Sequence, residues 1–291
     1  MGASQPRTLH GMADLASQID DLWDMRAELS PKDADAVATV HEAVDLLDTG
    51  RARVAEVVDD AGGEVGGMGA VVVHEWLKKS ILLLFKLREM ETVEAGPFEY
   101  HDKIPLKTGF AEAGVRVVPG ASVRYGAFVE SGAILMPSYV NIGARVGSGT
   151  MVDTWATVAT CAQVGRNVHL SGGVGLGGVL EPPQASPVII EDDCMIGSRC
   201  IITQGARVGR GSILGENTLL NPGIPVIDAD TGEEVSRGIV PPDCVVMRAE
   251  RVKRFKGGEF LLPCALIVRR LQPGDRDHVN DILRESGVAV S

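Results

Sequence analysis

The side chains that most readily bind metals or form disulfides are present, but their spacing suits neither role. The five cysteines are Cys161, Cys194, Cys200, Cys244 and Cys264, and they include no CxxC pair and no histidine at ligand spacing. We therefore expect neither a metal site nor a disulfide framework. We interpret the cysteines as small buried hydrophobic residues in a reducing cytosol.

Two other segments carry groups that could bind a ligand. The run Ser171–Gly178, SGGVGLGG, would let a ligand approach the backbone closely and would offer it free N–H groups. Glycines are also what tight turns require, so both interpretations stay open. Lys253, Arg254 and Lys256 form a basic stretch that could meet phosphate groups, although a charge run is more often a solvated face.

A repeat of six residues indicates the elements that must position these segments. From Val117 onward an aliphatic residue recurs at every sixth position, with a one-residue slip after Leu135 and a proline-rich interruption at Glu181–Pro187. A small residue stands four positions after most of these aliphatics. Each hexapeptide would form one short flat strand and one corner, so that three hexapeptides close one triangular coil. The aliphatic positions are Val117, Val123, Val129, Leu135, Val140, Val146, Val152, Val158, Val164, Leu170, Leu176, Ile190, Ile196, Ile202, Val208, Leu214 and Leu220.

The strict period of six predicts a mainly β protein built on a left-handed parallel β-helix over residues 111–222. A sandwich of alternating strands would instead need two-residue alternation and a turn cluster every 8 to 12 residues or so. Before the repeat, residues 1–110 are predicted to form an α-helical N-terminal domain. Apolar residues recur at helical spacing in two segments between Met12 and Leu47 and in a third from His74 to Met90. The acidic, glycine-rich stretch Asp59–Gly69 is predicted to be a loop.

After the repeat, residues 223–291 are predicted to form a small β-rich segment. The sequence DADTGE at Asp228–Glu233 is a hairpin-turn signal between Val226-Ile227 and a strand over Val235–Val240. Two further strands, Cys244–Met247 and Leu262–Val268, are expected. A short final helix through Leu283 would be capped by Asp275 or Asp277.

Charge and hydropathy exclude several classes of function. The chain of 291 residues has a formal net charge of -11 and a pI near 5.1, which argues against nucleic-acid or membrane-surface partners. An anionic substrate would need a local basic pocket. The first residues lack an apolar core of signal-peptide length, and the apolar run at Ile81–Phe85 is far shorter than a membrane span. We therefore expect a cytoplasmic protein.

The repeat itself narrows the function only to a few classes, because one fold hosts many activities. Most hexapeptide proteins resemble acyl-CoA or acyl-carrier transferases, while others resemble carbonic anhydrases or structural subunits. The anhydrases need three histidines on one metal, and the predicted β-helix contains only His169. The carbonic anhydrase class is therefore excluded.

Five segments closely resemble the tetrahydrodipicolinate N-succinyltransferase family, and the resemblance extends over nearly the whole chain. They are HEWLKK at His74–Lys79, MPSYVNIG at Met136–Gly143, GTMVDTWATV at Gly149–Val158, NVHLSGGVGLGGVLEP at Asn167–Pro182 and LPCALIV at Leu262–Val268. The resemblance implies a homotrimer with active sites in the grooves between neighbouring β-helices. It implies transfer of a succinyl group from succinyl-CoA, as co-substrate, to the amine of tetrahydrodipicolinate in lysine and diaminopimelate biosynthesis, with no permanently bound cofactor.

The resemblance also assigns roles to individual residues. Arg116 matches the substrate-binding arginine of the family, and a guanidinium can clamp a carboxylate in bidentate fashion. Asp153 matches the essential aspartate, which would orient or deprotonate the substrate amine. A surface ion pair for Arg116 and a turn-capping role for Asp153 remain the structural alternatives. Trp155 and Ser171 are further substrate-binding candidates, and the candidates for binding CoA are Gly172, Gly178, Arg254 and Lys256.

One position departs from the family pattern. The family commonly carries a glutamate with an acid/base role before the glycine in the coil after IGxR, and this chain has Gln204 there. Gln204 can form hydrogen bonds but cannot take a proton. Either that role is dispensable, or Glu181 or Glu216 supplies it, or the chain is a related N-acyltransferase of secondary metabolism, as in a tabtoxin-like pathway. A non-catalytic scaffold subunit is the remaining alternative. Further candidates for binding substrate or CoA anions are Arg166, Arg199, Arg207 and Arg210.

Overall fold

The N-terminal helices lie where the apolar spacing predicts them. The computed structural model describes residues 9–58, 65 and 67–275. Helix α1 is Leu9–Asp24, α2 is Ala34–Asp48 and α3 is Glu75–Leu87. None of the helices in this part of the chain is long and apolar enough to cross a membrane.

Two β-hairpins accompany the helices, and the sequence pattern did not predict them. Strands β1, Ala55–Val58, and β2, Ala70–Val73, pair antiparallel, as do β3, Glu91–Ala95, and β4, Phe98–Asp102. Every residue of β3 is exposed, so its sequence carries no alternation of buried and exposed positions. Most of the loop predicted between β1 and β2 lies outside the described residues.

The hexapeptide region folds as a stack of two-residue strands joined by corners. They are β5 Arg116–Val117, β6 Ser122–Val123, β7 Phe128–Val129, β8 Ile134–Leu135, β9 Tyr139–Val140, β10 Arg145–Val146, β11 Met151–Val152, β12 Thr157–Val158, β13 Gln163–Val164, β14 His169–Leu170, β15 Gly175–Leu176, β16 Ile189–Ile190, β17 Met195–Ile196, β18 Ile201–Ile202, β19 Arg207–Val208, β20 Ile213–Leu214 and β21 Leu219–Leu220. The second residue of each strand from β6 onward is buried, and it is the predicted aliphatic.

These strands form three parallel sheets, one for each face of the triangular coil, and the predicted left-handed β-helix is confirmed. Face one contains β7, β10, β13, β16 and β19; face two contains β5, β8, β11, β14, β17 and β20; face three contains β6, β9, β12, β15, β18 and β21. The pairing keeps like positions in register, as in Val152 opposite Leu170 and Leu170 opposite Ile196. Buried aliphatic and small side chains fill the interior.

The C-terminal segment continues the stacks beyond the predicted limit of residue 222. The predicted hairpin is present as β22, Pro225–Asp228, paired with β23, Glu234–Arg237. Strand β24, Ile239–Val240, then joins face one, and the start of β25, Cys244–Phe255, joins face two. Strand β25 pairs along its length with β26, Gly258–Arg270. The final helix predicted through Leu283 falls outside the described residues.

The helices pack against the corner between faces three and one. Their apolar core includes Ile142 and Cys161, which lie on successive coils at that corner. Lys78 of α3 is fully buried, and its Nζ donates hydrogen bonds to the carbonyl oxygens of Pro182 at 3.3 Å and Ala185 at 2.8 Å. Helix α3 thus holds the proline-rich loop that interrupts the repeat.

Candidate active site

Asp153 and Trp155 lie at the corner between faces two and three, called here the Asp153 corner. Successive coils are joined there by backbone hydrogen bonds, from Trp155 N to Pro137 O at 2.7 Å and from Gly173 N to Thr154 O at 2.9 Å. Trp155 adopts a left-handed backbone conformation, with φ of 61°, that bulky side chains rarely adopt. Its side chain is 77 % exposed, so the ring stands beside Asp153 and in contact with solvent. The same left-handed conformation recurs at other coil corners, as at Asn167 and Asn217, so the distinctive feature of this corner is the exposed aromatic ring.

The carboxylate of Asp153 divides its two oxygens between the turn and the surface. Oδ1 accepts hydrogen bonds from Thr154 N at 2.6 Å and Thr154 Oγ1 at 3.2 Å. Oδ2 lies 3.7 Å from Nε2 of His169, and both side chains are partly exposed. The turn-capping alternative is therefore correct for one oxygen, while the other faces an imidazole and solvent.

His169 and Ser138 are neighbours of Asp153 that the sequence motifs did not single out. His169 is the outward residue of β14, and it stacks on Met151, two residues before Asp153. The hydroxyl of Ser138 is buried and has no hydrogen-bond partner in the described residues, although it lies one coil from Trp155 at the same corner. The six-residue repeat could have predicted that His169 lies near Asp153, because it places His169 one coil after Met151.

Arg116 lies on the same face as His169. It is the outward residue of β5, and its register runs through Ile134 and Met151 to His169. Three strand spacings, about 14 Å of sheet, separate the two backbones. Arg116 is exposed, and in the described part of the chain its guanidinium makes no ion pair or hydrogen bond. It is available for an anion on this face.

The predicted ligand-binding glycines are on two different corners. Gly172 lies at the Asp153 corner, where an added Cβ would be 3.5 Å from Thr154 O, an ordinary contact. Gly178 lies at the corner between faces three and one, where a Cβ would approach Thr160 N to 3.0 Å. Coil packing therefore accounts for Gly178, whereas it does not require glycine at position 172. Ser171 is buried one coil above Asp153.

The C-terminal basic residues are not brought to the Asp153 corner by any described contact. Arg254 and Lys256 lie at the exposed end of the β25–β26 hairpin, and Arg254 forms an ion pair with Glu259. Their assignment to CoA stays a prediction. Arg199 does lie at the Asp153 corner, where its backbone N donates to Gly172 O at 3.1 Å.

The three candidates for the second acid/base role, Gln204, Glu216 and Glu181, lie in different parts of the structure. Gln204, with φ of 57°, is exposed at the corner between faces three and one. Glu216 is at the Asp153 corner, three coils above Thr154, about 14 Å along the stack. Glu181 is in the loop held by Lys78. No one of the three contacts Asp153 in the described chain.

The cysteine side chains do not contribute reactive groups. All five are buried, and none forms a disulfide among the described residues. Burial raises the pKa of Cys161 to about 12 and that of Cys200 to about 11. In the part of the chain that the structure describes, no three His, Cys, Asp or Glu side chains form a group that could hold a metal ion.

The coiled architecture defines a hexapeptide-repeat protein, and comparison with known proteins identifies it as an acyltransferase. A family model described as the hexapeptide repeat of succinyl-transferase matches residues 187–222, and one for the tetrahydrodipicolinate N-succinyltransferase N-terminal region matches residues 14–87. The chain belongs to the tetrahydrodipicolinate N-succinyltransferase family.

Its relatives match over almost their full length. A protein of Bordetella pertussis is 46 % identical over 281 residues, covering 93 % of this chain and 98 % of the relative. One of Caulobacter vibrioides is 44 % identical over 288 residues, covering 94 % and 100 %, and one of Dechloromonas aromatica is 42 % identical over 279 residues, covering 93 % and 98 %. All three are named 2,3,4,5-tetrahydropyridine-2,6-dicarboxylate N-succinyltransferase.

Proposed function

We propose that this protein transfers the succinyl group of succinyl-CoA to the amine of tetrahydrodipicolinate, in its ring-opened form 2-amino-6-oxopimelate, in lysine and diaminopimelate biosynthesis. The relatives that carry this activity in their names match over at least 93 % of the chain. The observation that carries the proposal is the Asp153 carboxylate, with one oxygen fixed by Thr154 and the other 3.7 Å from His169 at an exposed corner.

Asp153 and His169 divide the work on the substrate amine. The free oxygen of Asp153 accepts a hydrogen bond from the amine and directs its lone pair at the thioester carbon. An isolated aspartate is a weak base at neutral pH, whereas a neutral imidazole is well matched to that task. His169 takes the amine proton as the C–N bond forms, and the Asp153 carboxylate 3.7 Å away stabilises the resulting imidazolium. The C–S bond then breaks, and CoA leaves as the thiol with that proton.

The backbone at the same corner supplies a donor for the thioester oxygen. Gly172 N forms no hydrogen bond in the described part of the chain, and it lies one coil above Thr154. A backbone N–H positioned before reaction stabilises the negative charge that develops on a carbonyl oxygen. Trp155 borders the same space and would contact the acceptor.

Arg116 binds a carboxylate of the acceptor in this proposal. Replacing Arg116 by alanine should raise the KM for the amino acceptor about tenfold or more, because a hydrogen-bonded charge pair is lost, and should change kcat much less. Steady-state kinetics at saturating succinyl-CoA measure both constants. Arg116→Lys keeps the positive charge but loses the two parallel N–H groups of the guanidinium. Its acceptor KM should therefore lie between those of the unchanged protein and Arg116→Ala. An unchanged acceptor KM in Arg116→Ala would leave the arginine without this role.

We propose a homotrimer with a site shared between chains. Gln204 lies at the corner between faces three and one, two coils beyond Asp153, so a site that used both residues would need a neighbouring chain to bring the second corner to the first. A ring of three chains closes such a contact between unlike surfaces. Light scattering on the purified protein should give the mass of three chains, and a monomer active at all dilutions would contradict the shared site. We also propose a cytoplasmic location and CoA binding near Arg199, Arg254 and Lys256.

A thiol-release assay tests the reaction and separates it from the secondary-metabolism alternative. Purified protein receives succinyl-CoA or acetyl-CoA, each with tetrahydrodipicolinate or its stable analogue 2-aminopimelate. Thiol release that depends on the acceptor and prefers succinyl-CoA supports the proposal and makes Gln204 a tolerated change. Preference for acetyl-CoA, or no release with either donor from folded protein that binds CoA, would favour an acyltransferase with another donor or amine.

A further inference from the structure

A cleft lies on face one and at its corner with face two, at the opposite edge of face two from the Asp153 corner. Its volume is about 400 Å³, and it is bordered by the β1–β2 hairpin and by residues of β13, β16 and β19. The described lining includes four arginines and two carboxylates, namely Arg53, Arg166, Arg207, Arg210, Glu191 and Asp192. This is a concentration of positive charge in a chain whose formal net charge is -11.

The two carboxylates are already paired with two of the arginines. Nε of Arg207 donates to Glu191 Oε1 at 2.6 Å, and its Nη1 donates to Gly69 O at 2.7 Å. Nη2 of Arg166 donates to Asp192 Oδ2 at 2.8 Å. These contacts pair each carboxylate of the cleft with one arginine side chain.

Arg53 and Arg210 have no ion pair in the described residues. Arg53 Nε donates to the amide oxygen of Gln163 at 3.3 Å, a neutral partner. Arg210 contributes its backbone N to Glu191 Oε2 at 3.1 Å, and its side chain makes no described hydrogen bond. Among the described lining residues of the cleft, two arginine side chains therefore make no ion pair.

Arg53 is also partly buried. Burial, and next the positive charge of Arg145, lower the pKa of Arg53, and the negative charges of Glu56, Glu130 and Asp192 offset part of that effect; the arginine stays charged at neutral pH. A partly desolvated cation is stabilised when an anion pairs with it. A guanidinium binds carboxylate and phosphate oxygens through two parallel N–H groups, and a cleft of this size suits a small molecule.

We propose that the face-one cleft binds a small doubly charged anion, a dicarboxylate or a phosphate, between Arg53 and Arg210. Arg53 belongs to the N-terminal segment, just before β1, and Arg210 belongs to the β-helix, just after β19. The bound anion therefore bridges these two parts of the chain and stabilises their contact. The site is separate from the Asp153 corner, and it does not depend on the proposed reaction.

Isothermal titration at low ionic strength, with inorganic phosphate and with succinate, tests this site on the purified protein. At least one of the two should bind saturably, near one per chain, and should raise the melting temperature as linkage requires. Arg53→Gln/Arg210→Gln should weaken that binding at least tenfold. Phosphate binding alone would assign the site to phosphate groups, and succinate binding alone would assign it to dicarboxylates.

Two further variants keep the test decisive. Arg210→Gln alone removes an exposed side chain without a described ion pair, so it should fold and still lose most of the affinity. Arg237→Gln/Arg248→Gln removes the same charge from arginines that pair with Glu234 and Glu250 elsewhere, and it should bind like the unchanged protein. The proposal is overturned if neither anion binds saturably, or if the cleft variants bind as tightly as the control.

Discussion

Replacing Asp153 by asparagine should lower kcat for succinyl transfer at least about tenfold while the fold stays intact. Asparagine keeps the oxygen that accepts the Thr154 N–H bond, which measures 2.6 Å, so the corner is retained. It removes the negative charge that faces His169 at 3.7 Å and that would bind the amine and stabilise the imidazolium. Thiol-release kinetics measure the loss, and circular dichroism with thermal melting checks the fold.

A matched control is the same substitution at another coil corner. Asp193 lies at the corner between faces one and two, where its carboxylate accepts a hydrogen bond from Asn167 Nδ2 at 3.2 Å. Asp193→Asn should therefore keep kcat within about twofold of the unchanged enzyme, as surface substitutions away from a site usually do. Normal kcat in folded Asp153→Asn protein would remove Asp153 from the mechanism.

Replacing His169 by glutamine should produce a loss of comparable size, about 10²- to 10⁴-fold in kcat, because the proton acceptor is removed. Glutamine keeps a polar side chain on the exposed face of β14, where His169 is only partly buried, so folding should be little affected. Steady-state kinetics at saturating concentrations of both substrates report the change in kcat directly.

The double variant distinguishes a joint role from two separate ones. If Asp153 and His169 act on one proton, the variant carrying both changes should lose little more activity than the worse single variant. Losses that multiply would indicate that the two residues act independently. Full activity in His169→Gln would show that another group accepts the proton. Glu216, at the same corner, would be the first residue to test.

The period of six predicted most of the β-helix. Each inward aliphatic residue marks the position of one strand, and this local signal does not depend on which strands pair with it. It could also predict neighbours: residues one coil apart differ by about three hexapeptides, which puts His169 above Met151 and beside Asp153. The motif comparison treated His169 only as a metal ligand and missed this contact. The same arithmetic separates Gly172 from Gly178, which are one hexapeptide apart and so lie on adjacent corners.

Features that depend on contacts distant in sequence had no comparable signal. Exposed strands such as β3 show no alternation, and β1 and β2 flank a stretch that the composition assigns to a loop. The face-one cleft depends on Arg207 donating to the carbonyl of Gly69, and that pairing brings the N-terminal hairpin onto face one. Nothing in the local sequence of either residue indicates the other. Only the three-dimensional packing places Arg53 and Arg210 in the lining of one cleft.

The most direct test of the proposed reaction is product analysis by mass spectrometry. Purified protein is incubated with succinyl-CoA and tetrahydrodipicolinate, and free CoA and the acylated amine are quantified together. The proposed function requires one N-succinylated 2-amino-6-oxopimelate for each CoA released, with formation lost in Asp153→Asn. CoA release without succinylated amine, or a succinylated product formed equally well by Asp153→Asn, would contradict it.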